Sequence, residues 1–544
     1  MVQVVKSLRR RGIRDTRKNW KLKCSTHRWP ARKAFVNISK LSSKATIYFI
    51  LLLSCLNASV VGAEPKPSSL DGTFTDYPGV PKSSIYQVTV TEGNVSRDLV
   101  VFQSACPEYQ PKYMNMSPVD QHPLDIFRGR NISWVNFSFS ERATILVRVF
   151  APYAVSLTSS VKIFPERYGL KPVVKGNVVS FTMTKPGQCS IEIGNDGYEH
   201  GLLIFANPPE TDQPTLSASK YFILDHATPA EINSVPVEYS GIYFRSGVHK
   251  IGVFHVPDHI KNIYFAAGSW VYGAIVMHGN SKVKIFGRGV LSEAKLNYRE
   301  SHAVEAIDGS DQIDLEGIVL ADTKYFAVRL LGKNNTVKWI KIVGGWTYNT
   351  DGIAAFSGSS VAHCFIWAND DSIKPYRDNL VISDCVVWQL NNGAVIQLGW
   401  GNAQATNVTI SNVDVLHAEW NNNAANRGIL SCIGDKFGKG GMSGLQSSFL
   451  IDNLTTATPM PFIFNIRPNP ASPDQIHGLT FKNWSVQMDL DKAYPNYIEC
   501  ADATNRFDGL VFDNFTLNGV KLTESNWVTE GNFIIKNTAL PEFK

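Results

Sequence analysis

Three aspartates fall within one short stretch of the chain that contains no other acid. Asp351, Asp370 and Asp371 lie in the run NTDGIAAFSGSSVAHCFIWANDDSIKPY, which spans residues 349–376. Carboxylates placed close together repel one another, which raises the pKa of at least one of them and keeps a proton available. Glycoside hydrolysis requires such a set, because one acid protonates the leaving oxygen while a base activates water.

Two other interpretations of these acids stay open on the residues alone. The tripeptides T-D-G and N-D-D are common at turns, so the acids could simply mark loops between strands. Clustered carboxylates also suit calcium, but no D-x-D-x-D ligand spacing accompanies them, and we predict no metal site. The hydrolytic interpretation requires that the acids meet in one cleft, which depends on the elements that carry them.

The acids belong to a region built from a repeated unit. From about residue 236 onward, an apolar β-branched strand is followed by a corner residue and a second such strand, as in VKIFGRGVL, LVISDCVVW and LVFDNFTLN. The predicted corners are Gly287, Gly317, Lys341, His363, Asp384, Asn412, Asn483 and Asn514. A period of roughly 20 to 30 residues indicates a solenoid. The β-branched content and the lack of L-x-x-L-x-L spacing favour a parallel β-helix over leucine-rich repeats.

Aligning the units predicts which residues stack on neighbouring coils. DGIAAF from Asp351 aligns with DSIKPY from Asp371, and DSIKPY in turn aligns with GAVIQL, which starts at Gly393 on the next coil. Adjacent rungs lie about 4.8 Å apart, and a diagonal offset gives the roughly 6.5–9.5 Å that an inverting hydrolase needs to admit water. The alignment also places Cys364 and Cys385 in register, either as a disulfide or, as we favour, as two small buried side chains.

The region before the repeats has a different period. Between about residues 86 and 205, short alternating segments such as YQVTVTEG and ATILVRVF are separated by turn residues, which is typical of an antiparallel sandwich. The segment NPPETDQPTLSAS follows it. We therefore predict an all-β protein, in which a β-sandwich domain at residues 64–220 precedes a right-handed parallel β-helix at residues 221–544.

The first 63 residues are predicted to direct the chain into the secretory pathway. Residues 1–44 hold 14 of the 53 Lys and Arg, and the apolar run 45–63 ends in Val61-Gly62-Ala63. This small-residue ending is typical of a signal-peptidase site, so we predict a secreted protein. If the run stays uncleaved, it is long enough to act as a signal anchor in a membrane. Nine N-x-Ser/Thr acceptor sites follow Ala63, in agreement with a secreted glycoprotein.

Charge and cysteine content exclude other classes of protein. Beyond Ala63 the chain has 46 acids against 39 Lys and Arg, which argues against a nucleic-acid partner. The six cysteines of this part are too sparse for a disulfide scaffold and lack the spacing of metal ligands. We expect no cofactor, and the sequence makes no prediction of oligomeric state.

The acids and their neighbours resemble the catalytic core of the β-helical glycoside hydrolases. The segments N-T-D-G at 349–352, N-D-D-S-I-K-P-Y at 369–376 and Q-L-G-W at 397–400 are similar to family 49, the dextranases and isopullulanase. They are similar more loosely to the polygalacturonases of family 28. Farther upstream, GIYFRSGVHKIG and IYFAAGSWVYGAI resemble the family 49 segments that open the β-helix. The order of sandwich and then β-helix is similar too.

The resemblance implies a role for each matching residue. Asp370 is then the general acid, and Asp351 and Asp371 hold and deprotonate the water, with inversion at the anomeric carbon. The substrate-binding residues that follow from it are Lys374, Tyr376, Gln397 and Trp400. Among the tryptophans near the acids, we assign Trp367 to the core and Trp400 to a sugar-stacking platform.

The implied partner is a polysaccharide, and a neutral α-glucan such as dextran fits best. Polygalacturonases carry a Gly-His-Gly segment and an Arg-x-Lys pair that binds galacturonate carboxylates. This chain has Leu398-Gly399-Trp400 where the histidine segment would fall and only Lys374 for the basic pair. We therefore expect an inverting endo-glycosidase, with a pectin hydrolase as the second possibility. A non-catalytic glycan-binding or surface protein with the same fold is the alternative from another class.

Overall fold

The computed structural model describes residues 78–108, 118–150, 160–194, 197–216, 220–422, 426–433, 444–468, 476–491, 494–500 and 508–544. The basic arm and apolar run predicted at residues 1–63 lie outside this described part. Within it, no helix is both long and apolar enough to cross a bilayer.

The first ten strands form two five-stranded sheets. They are β1 Tyr86–Glu92, β2 Val95–Leu99, β3 Phe102–Ala105, β4 Asn131–Ser138, β5 Ala143–Val149, β6 Val161–Phe164, β7 Val173–Lys175, β8 Val178–Met183, β9 Gly187–Ile193 and β10 Leu202–Asn207. The strand orders are β2-β1-β5-β8-β7 and β3-β4-β10-β9-β6. Alternate side chains such as Val88 and Val147 from one sheet and Ile191 and Ile204 from the other share one buried core, so the two sheets form a sandwich. A helix, α1 Pro118–Ile126, lies between β3 and β4.

The rest of the described chain winds into coils of short parallel strands. They are β11 Tyr221–Leu224, β12 Gly241–Phe244, β13 Gly247–His255, β14 Asn262–Phe265, β15 Ser269–His278, β16 Lys284–Gly287, β17 Val290–Ser292, β18 Val304–Ile307, β19 Asp314–Glu316, β20 Val319–Ala321, β21 Val328–Leu330, β22 Thr336–Lys338, β23 Lys341–Val343, β24 Ile353–Ala355, β25 Ser360–Ala362, β26 Phe365–Ala368, β27 Val381–Ser383, β28 Val386–Gln389, β29 Ala394–Gln397, β30 Ala405–Ala418, β31 Gly428–Ile433, β32 Gln446–Thr456, β33 Phe464–Arg467, β34 Ile476–Lys482, β35 Ser485–Val486, β36 Asn496–Glu499, β37 Asp508–Asp513, β38 Thr516–Leu517, β39 Val520–Lys521, β40 Phe533–Lys536 and β41 Glu542–Phe543. Two one-turn helices, α2 Pro229–Ile232 and α3 Trp527–Glu530, interrupt them.

Strands of successive coils stack into three parallel faces. Sheet 1 contains β22, β25 and β27, sheet 2 contains β23, β26 and β28, and sheet 3 contains β21, β24 and β29. Isoleucine, leucine and valine side chains from all three faces fill one continuous core. This architecture confirms the all-β prediction of a sandwich followed by a parallel β-helix. The division at residue 220 stays a prediction.

The corners between sheets 1 and 2 are made by residues with left-handed backbone. Positive φ values recur at Gly317, Trp339, His363, Asp384, Asn412, Asn453, Asn483 and Asn514. Asn and Asp tolerate this conformation better than most residues. Their side chains also bond along the stack, since Asn412 Nδ2 donates to Asp384 Oδ1 at 3.0 Å and Asn453 Nδ2 donates to Asn412 Oδ1 at 2.7 Å.

The prediction of a corner at Lys341 was wrong. Trp339 occupies that corner with a φ of 56°, and Lys341 begins β23. The ammonium of Lys341 is buried between the two domains, where it donates to Gly317 O at 2.9 Å and to Asn207. One coil later, Cys364 and Cys385 are both buried and not joined by a disulfide, as favoured from the sequence.

The sandwich packs on sheet 2 of the β-helix. Trp134 of β4 stacks on Trp270 of β15 with ring centroids 6.1 Å apart, and Phe205 of β10 lies 5.2 Å from Phe365 of β26. These rings belong to one buried apolar cluster shared by the two domains. The sandwich is therefore fixed against the sheet whose strand ends carry two of the three acids.

Candidate active site

The three acids meet at the corner between sheets 2 and 3. Strand β26 ends at Ala368, and residues 369–371 turn the chain into sheet 3, where Ile373 pairs in parallel with Ile353 of β24. Asp351 lies two residues before that pairing, on the preceding coil. One carboxylate oxygen from each acid lies within 4.8 Å of one from each of the other two. The sequence prediction that they occupy one or two neighbouring rungs agrees with this geometry.

Two glycines allow the backbones to approach this closely. A Cβ at Gly352 would lie 2.3 Å from the carbonyl oxygen of Ser372. A Cβ at Gly393, which has a φ of 70°, would lie 2.3 Å from the carbonyl carbon of Asp370. The D-G and N-N-G sequences therefore set the spacing of the site, because only glycine fits these contacts.

The predicted register of the third coil was wrong by one residue. The alignment placed Gly393 beside Asp371, but Ile373 pairs with Ile396, so Asp371 lies beside Ala394. The left-handed Gly393 ends the turn, and β29 begins only after it. As a result the Ala394 N–H donates to Asp371 Oδ1 at 3.0 Å.

Lys374 binds two of the acids at once. Its buried ammonium donates to Asp371 Oδ2 at 2.9 Å and also to Asp351 Oδ2. It lies 4.6 Å from the ring centroid of Phe326 and 5.4 Å from that of Tyr376. Burial opposes the charge, but the Asp351 and Asp371 carboxylates outweigh burial and raise the pKa of Lys374 well above its usual value. The lysine therefore stays charged and fixes both carboxylates.

The hydrogen bonds of Asp371 and Asp370 distinguish the two acids. Asp371 accepts hydrogen bonds from three donors, namely Lys374, the Ala394 N–H and Asn426 Nδ2, the last at 2.8 Å. Asp370 accepts from the Asn349 N–H and from Asn392 Nδ2, both at 2.9 Å. Burial, reinforced by the charge of Asp371, nevertheless raises the pKa of Asp370 to about 6.

Only one of the two oxygens of Asp351 is hydrogen-bonded in the described structure. Its Oδ2 accepts from Lys374, while its buried Oδ1 has no hydrogen-bond partner among the described residues. Burial raises the pKa of Asp351 well above its usual value, with the Lys374 ammonium opposing the shift. A cation fits this donor set poorly, because the ammonium of Lys374 already lies between Asp351 and Asp371.

The acids line a cavity of about 570 Å³. Of the residues predicted from the sequence, the structure places Asp351, Asp370, Asp371, Lys374, Tyr376 and Trp400 on its wall. Gln397 does not line it. It lies buried behind Tyr376, whose hydroxyl donates to Gln397 Oε1, so any effect of Gln397 on a bound molecule acts through that ring.

No family model matches the chain, but individual proteins do. A dextranase from Arthrobacter globiformis is 26% identical over 408 residues, which cover 62% of this chain and 63% of that protein. A dextranase from Arthrobacter sp. (strain CB-8) is 30% identical over 308 residues, covering 50% of this chain and 47% of that protein. This chain is similar to dextranases. It spans between about half and two thirds of the length of these two relatives.

The fold is also shared with a solved structure. Dex49A from Penicillium minioluteum matches with a TM-score of 0.68 and 17% sequence identity, over 87% of this chain and 96% of that chain. The resemblance to dextranases inferred from the acid motifs is therefore confirmed, and so is the fold.

Several residues of the cavity wall were not predicted from the sequence, among them Tyr325, Phe326, Arg329, Asn392 and Asn426. Tyr325 stacks on His302 with centroids 4.1 Å apart, and the guanidinium of Arg299 lies 5.0 Å from the Tyr325 ring. Only the position of Tyr325 and Phe326 in the repeat could have indicated that they line the cavity. Strand β21, next to Phe326, pairs with β24, so residues one coil before the acids had to face the same cleft.

The sandwich reaches the same region. His122 of α1 lies 3.2 Å from the Tyr348 hydroxyl, one residue before Asn349, whose N–H binds Asp370. Nothing in the local sequence of α1 indicated this contact, because it arises from the docking of the two domains.

The tryptophans near the acids divide into packing and cavity residues. Trp346, Trp367 and Trp420 are buried, and Trp367 stacks on Trp388 with centroids 4.6 Å apart. Trp400 is half-buried in a 3₁₀ turn, Trp400–Asn402, that follows the left-handed Gly399. It is the one of these rings that faces the cavity.

Proposed function

We propose that this chain is an inverting endo-glycoside hydrolase that acts on a neutral α-glucan such as dextran. The observation that carries the proposal is the buried set of three aspartates around one lysine on the wall of a 570 Å³ cavity. The similarity of the sequence to dextranases supports the choice of substrate.

The chemistry divides among the acids according to their partners. Asp370, with a pKa of about 6, carries the proton and delivers it to the leaving glycosidic oxygen. Asp351 and Asp371, both bonded to Lys374, hold the attacking water and take the proton that it loses as its oxygen bonds to the anomeric carbon.

The spacing of the acids does not by itself support inversion at the anomeric carbon, so the stereochemistry needs its own experiment. Their nearest oxygens lie within 4.8 Å, closer than the roughly 6.5–9.5 Å expected for an inverting pair. Lys374 draws Asp351 and Asp371 onto one ammonium, which accounts for the short distance between these two acids. Inversion is thus supported by the resemblance to family 49 rather than by distance. Proton NMR of the first product from an α-glucan should show the β-anomer, and an α-anomer would instead assign one acid as a nucleophile.

A neutral substrate agrees with the charges around the cavity. Lys374 is neutralised by two carboxylates, and Arg329 donates to Glu305. Arg377, the other cation on the described wall, donates to the Tyr376 carbonyl oxygen and lies over the Phe356 ring. Two of the three wall cations are thus already paired with acids, which disfavours a polyanion such as polygalacturonate. A purely glycan-binding role would leave unexplained why three carboxylates are kept buried at a cost in stability.

The deciding experiment is reducing-sugar release by the purified full chain. Dextran, pullulan and polygalacturonate serve as substrates, with Asp370→Asn as the inactive variant and Asp308→Asn, at an exposed acid remote from the cavity, as the matched control. We expect the wild type and the control to release sugar from dextran. Release by Asp370→Asn should fall at least about 100-fold, while its melting temperature stays unchanged or rises. Equal release by Asp370→Asn would refute the assignment of the acid, and release from polygalacturonate alone would refute the substrate.

We also propose that the chain is a secreted glycoprotein, since it carries the leader pattern at residues 1–63. In the described part, the exposed acceptor asparagines are Asn94, Asn334, Asn407, Asn483 and Asn514. Asn136 is an internal control, because its amide donates to Arg288 O at 3.0 Å and accepts from Asn207. Peptide mapping of the exported protein should find glycan on exposed sites and none on Asn136, and an unglycosylated exported protein would contradict the proposal.

A further inference from the structure

A second cavity lies between the sandwich and the β-helix, away from the acids. Its volume is about 650 Å³, within the range of roughly 300–1,000 Å³ that is usual for ligand pockets. The sandwich contributes the turn between β8 and β9 and the short 3₁₀ turn Glu166–Tyr168. The β-helix contributes three successive corners, Trp339, His363 and Asp384.

Trp339 is an exception among those corners. Its φ of 56° lies in the left-handed region, where a bulky side chain is rare and strained. The corners that follow it beyond His363 carry Asp or Asn, so the fold itself does not require an indole at this position. Strained residues of this kind concentrate at binding and catalytic sites. The strain therefore points to a use for the ring.

The indole is held as a flat, partly exposed surface. It stacks on His363 with centroids 4.7 Å apart and planes inclined by 17°. The carbonyl oxygen of His363 in turn accepts from Gln188 Nε2 of the sandwich at 2.9 Å. The corner before Trp339 is Gly317, which has no side chain to stack on the ring. The stack on His363 thus orients the Trp339 ring, and the sandwich bonds the backbone of that stacking partner.

Charged groups surround this ring without forming a charged patch. Arg167 is held by the buried Asp414, and Lys185 and Asp384 carry opposite charges on the cavity wall. Fixed donors and acceptors beside an aromatic face match a neutral sugar ring, whose C–H face packs on the indole while its hydroxyls form hydrogen bonds. We propose that this interdomain cavity is a second, non-catalytic saccharide site, which binds the glucan that the acids cleave; the identity of the sugar rests on the proposed function.

The two sites lie at opposite ends of one strand. His363 precedes β26 and Asp370 follows it, so seven residues of roughly 3.3 Å each, about 20 Å in all, separate them. A sugar bound at Trp339 therefore does not contact the acids. It serves to keep a long polymer on the enzyme while the other cavity acts on one of its bonds.

The test is binding of isomaltohexaose, an α-1,6-linked glucose oligomer, to the full chain carrying Asp370→Asn so that it is not consumed. Calorimetry should find two sites, and adding Trp339→Asn should weaken one of them about tenfold or abolish it. Asn suits the left-handed corner, so this variant should melt at the same temperature or higher. Lys185→Ala, in an exposed turn, should weaken the same site without changing the melting temperature.

The outcomes separate this inference from the proposed function. Trp400→Ala should affect only the catalytic cavity. A single site that is lost with Trp339→Asn but kept with Trp400→Ala would support the second site even if the acids bind no glucan. Binding that neither Trp339→Asn nor Lys185→Ala alters, or no binding to the Asp370→Asn protein at all, would overturn the inference. A lower melting temperature of Trp339→Asn with unaltered binding would assign the indole to packing and overturn it as well.

Discussion

Replacing Lys374 with methionine tests the electrostatic balance of the acids most directly. The ammonium is the cation that Asp351 and Asp371 share, and its side chain is only 5% exposed. Methionine keeps most of the length and apolar contact with Phe326 but removes the charge. Breaking a buried ion pair by removing one partner costs about 3–5 kcal/mol, because it leaves an uncompensated buried charge. We therefore expect Lys374→Met to lose about that much free energy of unfolding at neutral pH, together with activity.

The loss should depend on pH with a definite sign. Burial already raises the pKa of Asp351, and removing the ammonium raises it further above its unfolded value. A carboxyl with a raised folded-state pKa is best tolerated while protonated, and its cost to stability grows as pH rises through that pKa. The stability of Lys374→Met relative to wild type should therefore be worst at neutral pH and should recover toward pH 4. The raised pKa of Lys374 itself means that the wild-type ammonium contributes throughout this range.

Urea unfolding at pH 4.5 and pH 7.5 measures both quantities. The matched control is Lys338→Met, whose side chain is 39% exposed and pairs with Glu316 at 3.1 Å. An exposed pair of this kind contributes about 0–1 kcal/mol, so the control should show a small loss. A Lys374→Met loss no larger than that of the control, or one equal at the two pH values, would refute the view that one buried cation holds the site together.

Two further predictions concern the acid and the glycine turn. The value of kcat/KM for dextran should fall as pH rises above about 6, because Asp370 with a pKa of about 6 must be protonated to act. An alkaline limb starting above pH 8 would exclude Asp370 as that acid. Gly393→Ala should lose about 2–3 kcal/mol of stability and most activity, since its Cβ would lie 2.3 Å from the Asp370 backbone at a φ of 70°. Gly309→Ala, with a φ of 84° and open space around its Cβ, isolates the backbone cost and should lose about 1 kcal/mol by thermal unfolding.

The β-helix was predictable because its corners have a chemical requirement. Asp384, Asn412 and Asn514 could be identified from the sequence since left-handed backbone selects Asn, Asp and Gly. The corner at Trp339 was instead placed at Lys341, because the preference of left-handed backbone for Asn, Asp and Gly does not predict a tryptophan there. The one-residue error at Gly393 arose because the alignment treated a turn residue as the first residue of its strand.

The candidate site was predictable where two neighbouring coils carry a chemical motif and not where other coils contribute single residues to its wall. Asp351, Asp370 and Asp371 lie on adjacent rungs, so their spacing in sequence translated directly into proximity. Tyr325 and Asn426 reach the cavity from an earlier and a later coil, and their local sequences carry no chemical motif. The raised pKa values of Asp351 and Asp370 were likewise beyond the sequence, because they arise chiefly from burial that exists only once the coils have stacked.

The spacing of the stacked corners has a consequence for how such a protein can change. Twenty-one residues lead from the corner at His363 to that at Asp384, but 28 lead on to Asn412 and 41 from there to Asn453. The longer intervals contain the turn with Trp400 and the segment with Asn426, which reach the cavity. The corner side chains of Asp384, Asn412 and Asn453 nevertheless stay bonded to one another. Insertions and deletions within a coil can therefore reshape the cavity one wall at a time, without repacking the core that supports the acids.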